Sequence, residues 1–341
     1  MTTAMLIFAG ALILAVGGTP LARRLAPRLG LLDQPSARKL HQRPMPRMGG
    51  AAIVLSSLAA LLAFQDRFEL QQLIGILLGG AFVSLLGTWD DRWGVRPLVK
   101  LVGQFFAAAI VMSTGVVVQL FGEAWLNLGA SALWIVGITN AFNLLDNMDG
   151  LSSGVGLIAA AFFTLMAALS EQSYVAALSA AVVGACLGFL IYNFNPASIF
   201  MGDSGSLFLG FVLAALGVKL RFPDNVTFVT WMVPVLVLGV PLFDTTLVTL
   251  SRLRRRLNPF TTPGKDHASH RLVSAGFTTR EAVMLHYLAG CALGLLAVFV
   301  TQASIFEGYV VGAATALLGA YAVARFEIQY RRSASNSHER T

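Results

Sequence analysis

The stretch Asn140-Ala-Phe-Asn-Leu-Leu-Asp-Asn-Met-Asp-Gly-Leu-Ser-Ser-Gly154 sets three amides and two carboxylates between two long apolar runs. Ionisable groups beside lipid-facing sequence are costly, and they commonly mark function. Read as helix, Asn143, Asp146 and Asp149 recur every three residues and project from nearly one face, while Gly150 and Gly154 loosen the chain. Such a face can hold a metal, a sugar or a phosphate. The plainer alternative is a satisfied polar helix end.

Of the 341 residues, 56% are hydrophobic and 12% charged, whereas an ordinary globular domain has about 45–50% apolar and about 25% charged residues. The fold class expected is an all-α, polytopic membrane protein. At about 20 apolar residues per crossing, eleven transmembrane helices are predicted. They lie near residues 4–20, 48–64, 72–89, 98–115, 124–142, 152–170, 174–192, 205–219, 228–250, 281–302 and 307–326. No repeat or low-complexity linker interrupts them, so residues 1–341 read as one integral membrane domain with a basic tail at 327–341. The first apolar run, Met5 to Val16, has no Lys or Arg before it and is expected to stay as the first span rather than leave as a signal peptide. Cys186 and Cys291 fall in apolar runs, so no disulfide and no cysteine-rich metal site is expected.

A net charge of +7 raises the question of nucleic acid, and the distribution of the basic residues answers it. With the N-terminus outside, 21 of the 24 Lys and Arg residues fall in segments 21–48, 90–100, 251–280 and 325–341; only Arg67, Lys219 and Arg221 lie on the other side. Basic residues concentrate in cytoplasmic loops. This predicts N-terminus out and C-terminus in the cytoplasm, with no nucleic acid needed to explain the charge. The same topology gathers the polar segments 33–50, 88–100, 140–154, 193–206 and 261–272 on the cytoplasmic face, although they took no part in choosing it. A transporter would more naturally place ionisable groups near mid-membrane, in broken helices. One polar face suits an enzyme that takes a water-soluble substrate from the cytoplasm.

Asp90-Asp91-Arg92 closes the third span and Lys100 opens the fourth. Adjacent carboxylates repel unless a cation lies near, and hard cations such as Mg²⁺ prefer oxygen ligands; a loop or cap is the alternative. Phe200-Met-Gly-Asp203-Ser-Gly-Ser206 precedes the eighth span. Ser204 or Asp203 can cap that helix, whose N-terminus would offer free amides to a pyrophosphate, and Asp203 is the first choice for a metal ligand. Asp266-His267-Ala-Ser-His270-Arg271 follows Arg254-Arg-Arg256 in the largest cytoplasmic loop. The two histidines lack a third zinc ligand at the usual spacing, so phosphate binding together with Arg271 is preferred. The triple Arg is expected to contact anionic headgroups, and Asp244, after Pro241, to orient a neighbouring base. Arg38-Lys39-Leu-His41 and Pro44-Met-Pro46-Arg47-Met-Gly49-Gly50 form a further basic loop, for which topology alone is a sufficient reason.

Taken together and in this order, the motifs resemble those of the polyprenyl-phosphate N-acetylhexosamine-1-phosphate transferases, a family of bacterial inner-membrane enzymes. The match runs from Arg38 through Pro46–Gly50, Asp90–Arg92, Asn140–Gly150, Phe200–Ser206 and Pro241–Asp244 to His267–Leu272. The resemblance implies transfer of a sugar 1-phosphate, in the first instance N-acetylglucosamine 1-phosphate, from a UDP-sugar to undecaprenyl phosphate. UMP is released, Mg²⁺ or Mn²⁺ is the cofactor, and the product enters cell-wall, teichoic acid or lipopolysaccharide synthesis. Asp90, Asp91, Asp203, Lys100, Asp146, His267 and His270 are the catalytic residues it implies. Lys39, His41, Asn140, Asn143, Asp149, Asn193, Phe200 and Arg271 are the substrate contacts, and Asp203 and Asp91 the metal ligands. Ala268 and Ser269 separate the two histidines, unlike the three-histidine pattern of the phospho-N-acetylmuramoyl-pentapeptide transferases, which favours a UDP-N-acetylglucosamine-type donor. The alternatives are that pentapeptide transferase activity and, from another class, a transporter of a nucleotide sugar or lipid. The partners expected are the donor, the lipid acceptor and a second copy of the chain in a homodimer.

Overall fold

Helix α8, Asp203–Lys219, is buried at every residue from Ser204 to Val218. Its sequence permits this because it is apolar or small on all sides, the pattern of a helix enclosed by other helices. It belongs to a computed structural model that describes residues 2–35, 43–63, 70–223, 225–259, 262 and 264–338. Around α8 stand α2 (Gly49–Leu62), α3 (Leu70–Trp93), α5 (Ala124–Leu145), α6 (Leu151–Leu169) and α7 (Ser173–Asn193). Helix α1 (Thr2–Leu25) packs on α7 and α2, and α4 (Pro97–Ser113) on α3 and α5. These elements make up a first unit, Met1–Phe222.

Burying an apolar side chain gains little when the alternative is lipid, so helices in a membrane associate through close packing of small residues. Gly184 and Gly188, one turn apart on α7, illustrate this. A Cβ on Gly184 would lie 2.3 Å from the Phe8 carbonyl oxygen, and one on Gly188 would lie 2.7 Å from the Ala15 Cβ of α1. On the outside, Leu55, Leu133 and Ile191 are exposed, as a lipid-facing surface requires.

The second unit, Pro223–Thr341, contains α9 (Thr227–Thr230), α10 (Met232–Val237), α11 (Gly239–Arg254), α12 (Ala268–Ser274), α13 (Thr279–Gln302) and α14 (Ile305–His338). The span predicted at 228–250 is broken: Thr227–Val237 and Gly239–Arg254 meet at a 76° bend. Pro241 accounts for it, since it has no N–H to give the Val237 carbonyl and its ring crowds the preceding turn. Helix α14 continues into the stretch expected as a tail, as far as His338.

Among the described residues, seven helices are long and apolar enough to cross a membrane, or eight if the bent pair counts as one span. The predicted segments 48–64, 98–115 and 205–219 are helices of 14, 17 and 17 residues, shorter than the ~20 residues of a full crossing. The chain is thus a mostly helical, multi-pass protein, with seven or eight spans of sufficient length among the described residues. A two-residue antiparallel ladder departs from the all-α reading: β1 (Leu32–Asp33) pairs with β2 (Met45–Pro46), Leu32 opposite Pro46 and Asp33 opposite Met45.

Candidate active site

Loops of the first unit meet at the N-terminus of α8. Phe200 N donates to the Pro46 carbonyl (2.8 Å), Gly49 N to that of Phe200 (2.9 Å) and Gly50 N to that of Met201 (2.8 Å). These bonds satisfy the first amides of α2, which has no side-chain cap, and they carry Arg47 to the start of α8. There Arg47 Nε lies 3.0 Å from Asp91 Oδ1, Nη2 3.1 Å from Asp203 Oδ1 and Nη1 3.9 Å from Asp33 Oδ1. Sequence reasoning assigned Arg47 to topology and missed it as a site residue. The available signal was its place two residues ahead of the Gly49-Gly50 pair, which allows the backbone to pair closely.

The cap of α8 is neither Ser204 nor Asp203, as expected, but Asp91. Its Oδ1 accepts from Asp203 N (3.0 Å) and its Oδ2 from Ser204 N (3.2 Å), while the N-cap residue, Gly202, sits at φ 74°. The reach depends on two glycines. A Cβ on Gly87, one turn before Asp91, would lie 2.4 Å from the Asp203 carbonyl carbon, and one on Gly202 would lie 2.6 Å from Asp91 Oδ2. Both Asp91 oxygens expected for a metal are therefore engaged by α8 and Arg47.

Lys100 Nζ reaches the carboxylate of Asp203, Asp90 Oδ2 at 2.9 Å and Asn143 Oδ1 at 3.1 Å. Asp90 Oδ1 accepts from Val95 N at 2.6 Å, and Asn143 Nδ2 donates to Ser206 Oγ at 3.0 Å, which turns the amide oxygen toward the lysine. Helices α3, α4, α5 and α8 each supply one of these groups. Among the described residues no three His, Cys, Asp or Glu side chains gather into a metal cage. Asp90 and Asp203 nevertheless share one cation, the Lys100 ammonium. Mg²⁺ sites commonly use only one or two carboxylates, completed by substrate phosphates and water. The donor set at Asp90 and Asp203 fits such an ion.

The polar stretch that opened the sequence reading divides. Asn143 belongs to the charged cluster, and Asp146, at the C-terminus of α5, is close enough to feel it. Burial pushes the Asp146 carboxyl up to about 7; Arg47 opposes the rise, and Asp203 and Asp91 add to it. Asn140 and Asp149 hold the fold instead. Asn140 exchanges hydrogen bonds with Gln104 of α4 and donates to the Val136 carbonyl at 2.8 Å. Asp149 Oδ2 accepts from Asn195 Nδ2 and Ala197 N, both at 3.0 Å. Asn193, expected as a substrate contact, is buried and stapled, accepting from Gly150 N (3.1 Å) and Ser153 Oγ (3.0 Å) and donating to the Ile199 carbonyl (3.0 Å). Phe200 contributes its backbone to the pairing with β2. Lys39 and His41 lie outside the described residues.

The second unit holds its own charged network. Asp244 Oδ2 lies 2.7 Å from His267 Nδ1, and its Oδ1 accepts from Ala268 N at 2.7 Å, so one carboxylate orients the imidazole and caps α12. This is the orienting role expected of Asp244. Arg252 grips Asp266 with two bonds, Nε to Oδ2 (3.0 Å) and Nη2 to Oδ1 (2.9 Å), and Arg255 joins them. Arg254 pairs with Glu327 at 3.1 Å. Two of the three arginines expected at lipid headgroups thus have carboxylate partners within the protein. His270 stands with its ring 6.2 Å from that of His267. Arg271 is buried within an internal network rather than open to a phosphate.

Residues 73–221, which run from α3 through α8, match glycosyl transferase family 4. Over 297 residues the chain is 37% identical to the probable undecaprenyl-phosphate N-acetylglucosaminyl 1-phosphate transferase of Bacillus subtilis, a match covering 84% of this chain and 82% of that protein. The chain belongs to this family. Two further relatives, the decaprenyl-phosphate N-acetylglucosaminephosphotransferase of Mycobacterium tuberculosis and the undecaprenyl-phosphate alpha-N-acetylglucosaminyl 1-phosphate transferase of Escherichia coli K12, are 32% and 27% identical over 314 and 301 residues. They match 82% and 81% of this chain and 78% of their own lengths. Within the family 4 match lie Asp90, Asp91, Lys100, Asn143 and Asp203 of the first unit's charged cluster, whereas Asp33 and Arg47 precede it.

Proposed function

We propose that this family 4 phosphoglycosyltransferase moves N-acetylglucosamine 1-phosphate from UDP-N-acetylglucosamine to undecaprenyl phosphate and releases UMP. The observation that carries this reading is the cluster at the start of α8, where Arg47 and Lys100 stand among Asp90, Asp91 and Asp203. It occurs in a chain alignable along most of its length with relatives named for such transfers.

A phosphate monoester has a second pKa near ~6, so the lipid phosphate is largely a dianion at neutral pH and needs no strong base. The barrier lies in bringing two anions together, and positioning with charge neutralisation lowers it. An oxygen of the lipid phosphate forms the new bond to the donor's β-phosphorus, the bond from that phosphorus to the bridging oxygen breaks, and UMP leaves with the electron pair. Lys100 and Arg47 neutralise the phosphates, a task the end of α8 cannot perform while Asp91 occupies its first amides. Mg²⁺ or Mn²⁺, when bound by Asp203 and Asp90, would add charge neutralisation at the pyrophosphate. Asp91 holds Arg47 in place. Asn143 keeps Lys100 oriented, and Asp146 lines the nucleotide pocket. His267 and His270 contact phosphate, with Asp244 fixing the first ring; Lys39 and His41 are further substrate contacts. The chain works as one transferase domain of the bacterial inner membrane, N-terminus outside and site in the cytoplasm, as its basic loops favour.

The test is UMP release by the full-length protein reconstituted with undecaprenyl phosphate. UDP-N-acetylglucosamine, UDP-N-acetylgalactosamine and the UDP-muramoyl pentapeptide are supplied side by side. The first is expected to be turned over fastest. Turnover of the pentapeptide donor alone would overturn the donor assignment, and movement of a nucleotide sugar across the liposome without UMP release would replace transfer with transport.

A further inference from the structure

Helix α14 has 34 residues, about 51 Å at 1.5 Å per residue, whereas a hydrocarbon core about 30 Å thick takes about 20 residues. The helix is thus longer than one upright crossing takes. Glu327 and Tyr330, one turn apart and therefore on one face, hold arginines from both sides of the histidine loop. Glu327 Oε2 accepts from Arg254 Nη1 at 3.1 Å, and Oε1 lies 2.7 Å from Arg271 Nη1. The Tyr330 ring lies 4.6 Å from the Arg271 guanidinium and 5.4 Å from that of Arg255. The Phe326 carbonyl accepts from Arg271 Nη1 at 3.1 Å, and Arg271 Nε donates to the Asp266 carbonyl at 2.7 Å. The Arg271 side chain is left 3% exposed. A solvated tail requires none of these contacts.

We propose that the distal part of α14 is a strut for the loop carrying His267 and His270, with Glu327 and Tyr330 as positioning residues that set donor affinity. The inference rests on reading that loop as a phosphate contact. The loop is suspended at two ends. Asp244 fixes its beginning through His267 Nδ1 and Ala268 N. Arg271, directly after His270, fixes the other end, and Arg271 is itself held by α14. Loss of Glu327 frees the guanidinium fork, and with it the Asp266 carbonyl and the His270 backbone, while the Asp244 bonds persist. Donor affinity changes, and the carboxylate cluster of the first unit keeps its own bonds.

The experiment measures UMP release by the full-length protein against UDP-N-acetylglucosamine concentration, together with donor binding by calorimetry. The variants are Glu327→Gln, Glu327→Asp, Tyr330→Leu and His270→Ala. Glu327→Gln and Tyr330→Leu are expected to raise the donor KM and the calorimetric Kd about tenfold with kcat nearly kept, the pattern of lost binding common to ground and transition states. The acceptor KM stays parental, and Glu327→Asp restores most of the donor affinity. Parental donor affinity in Glu327→Gln, alongside weakened affinity in His270→Ala, would reject the strut and leave the phosphate reading intact. Parental affinity in His270→Ala would remove both. A fall in kcat, acceptor affinity and Tm together in Glu327→Gln would mean general loosening and also reject the strut.

Discussion

The charged clusters of the two units use the same kinds of side chain, and each has a closed part and an open one. Asp91 is 1% exposed in the first, and Arg254 and Arg255 are 42% and 35% exposed in the second. The contrast lies between Arg47 with Asp90 and the Arg252–Asp266 pair. In the first, the Arg47 side chain is 33% exposed and that of Asp90 19%. In the second, Arg252 and Asp266 are 3% and 2% exposed and joined by two parallel bonds. An ion pair open to water contributes little to stability and exchanges partners at small cost, whereas removing one member of a buried pair leaves an uncompensated charge. The first cluster is therefore suited to trade a protein carboxylate for a phosphate or a metal, and the second to hold a shape.

The largest effect that can break this comparison is Asp266→Ala. It strands the buried Arg252 without its partner and is expected to destabilise the second unit by about 3–5 kcal/mol. Asp90→Asn in the open cluster should leave the unfolding transition nearly unmoved. Thermal unfolding of the purified proteins in detergent compares the two. A parental transition in Asp266→Ala would show that the closed network does not hold the fold.

Asp203→Asn comes next. The α8 cap belongs to Asp91, so this substitution takes no cap away, and the variant should express and extract like the parent. It removes the charge facing Lys100 and Arg47 and, on the proposed reading, a metal ligand. A loss of about 10²-fold or more in UMP release is expected, on the scale of lost charge stabilisation. Near-parental release over a Mg²⁺ titration would take Asp203 out of the chemistry.

What the sequence made legible follows from the range of each signal. Apolar runs are local, so helices stand at all eleven predicted segments, although three are short and one is broken at Pro241. Asp90, Lys100, Asn143 and Asp203 were picked out as charged or amide groups beside lipid-facing sequence, and they meet. Arg47 was not picked out because its partner Asp203 lies 156 residues away and reaches it through backbone pairing that no periodicity announces. Amides misled for a different reason. An Asn that joins a charged cluster and an Asn that staples helices and loops have the same composition, and only the fold separates Asn143 from Asn140 and Asn193. The first unit is built around α8, whose apolar sequence between its first turn and Lys219 carries no polar landmark.

The two kinds of asparagine give a third, smaller effect. Asn193→Ala leaves Gly150 N, Ser153 Oγ and the Ile199 carbonyl without their buried partner, and should lower stability by about 1–3 kcal/mol. Asn143→Ala frees Lys100 in a partly open site and should reduce transfer more than it reduces Tm. Measuring both quantities on both variants sharpens the division, and equal losses of stability would erase it.

The smallest effect is in pH, and it tests how closed the second network is at its edge. Burial first, then His267 and Lys265, lower His270 to about 4, against about 6.5 for an unperturbed histidine. As pH falls from about 6.5 to about 4, the unfolded chain takes up this proton and the folded chain does not. Stability from His270 is therefore complete above the first value and declines toward the second. At Asp266 burial favours the neutral form but is outweighed by Arg252 and Arg255, which hold the carboxyl at about 2. Its contribution is present above about pH 3.9 and is lost only as pH falls toward 2. The interval between pH 6.5 and 4 thus reports His270 and leaves Asp266 silent. The parent should lose a few degrees more of Tm than His270→Asn between pH 7 and 5, a modest difference because the imidazole is only partly buried. Parallel decline of the two proteins would mean that His270 titrates as it does in the unfolded chain, and that the loop is open where the buried arginine pairs are closed.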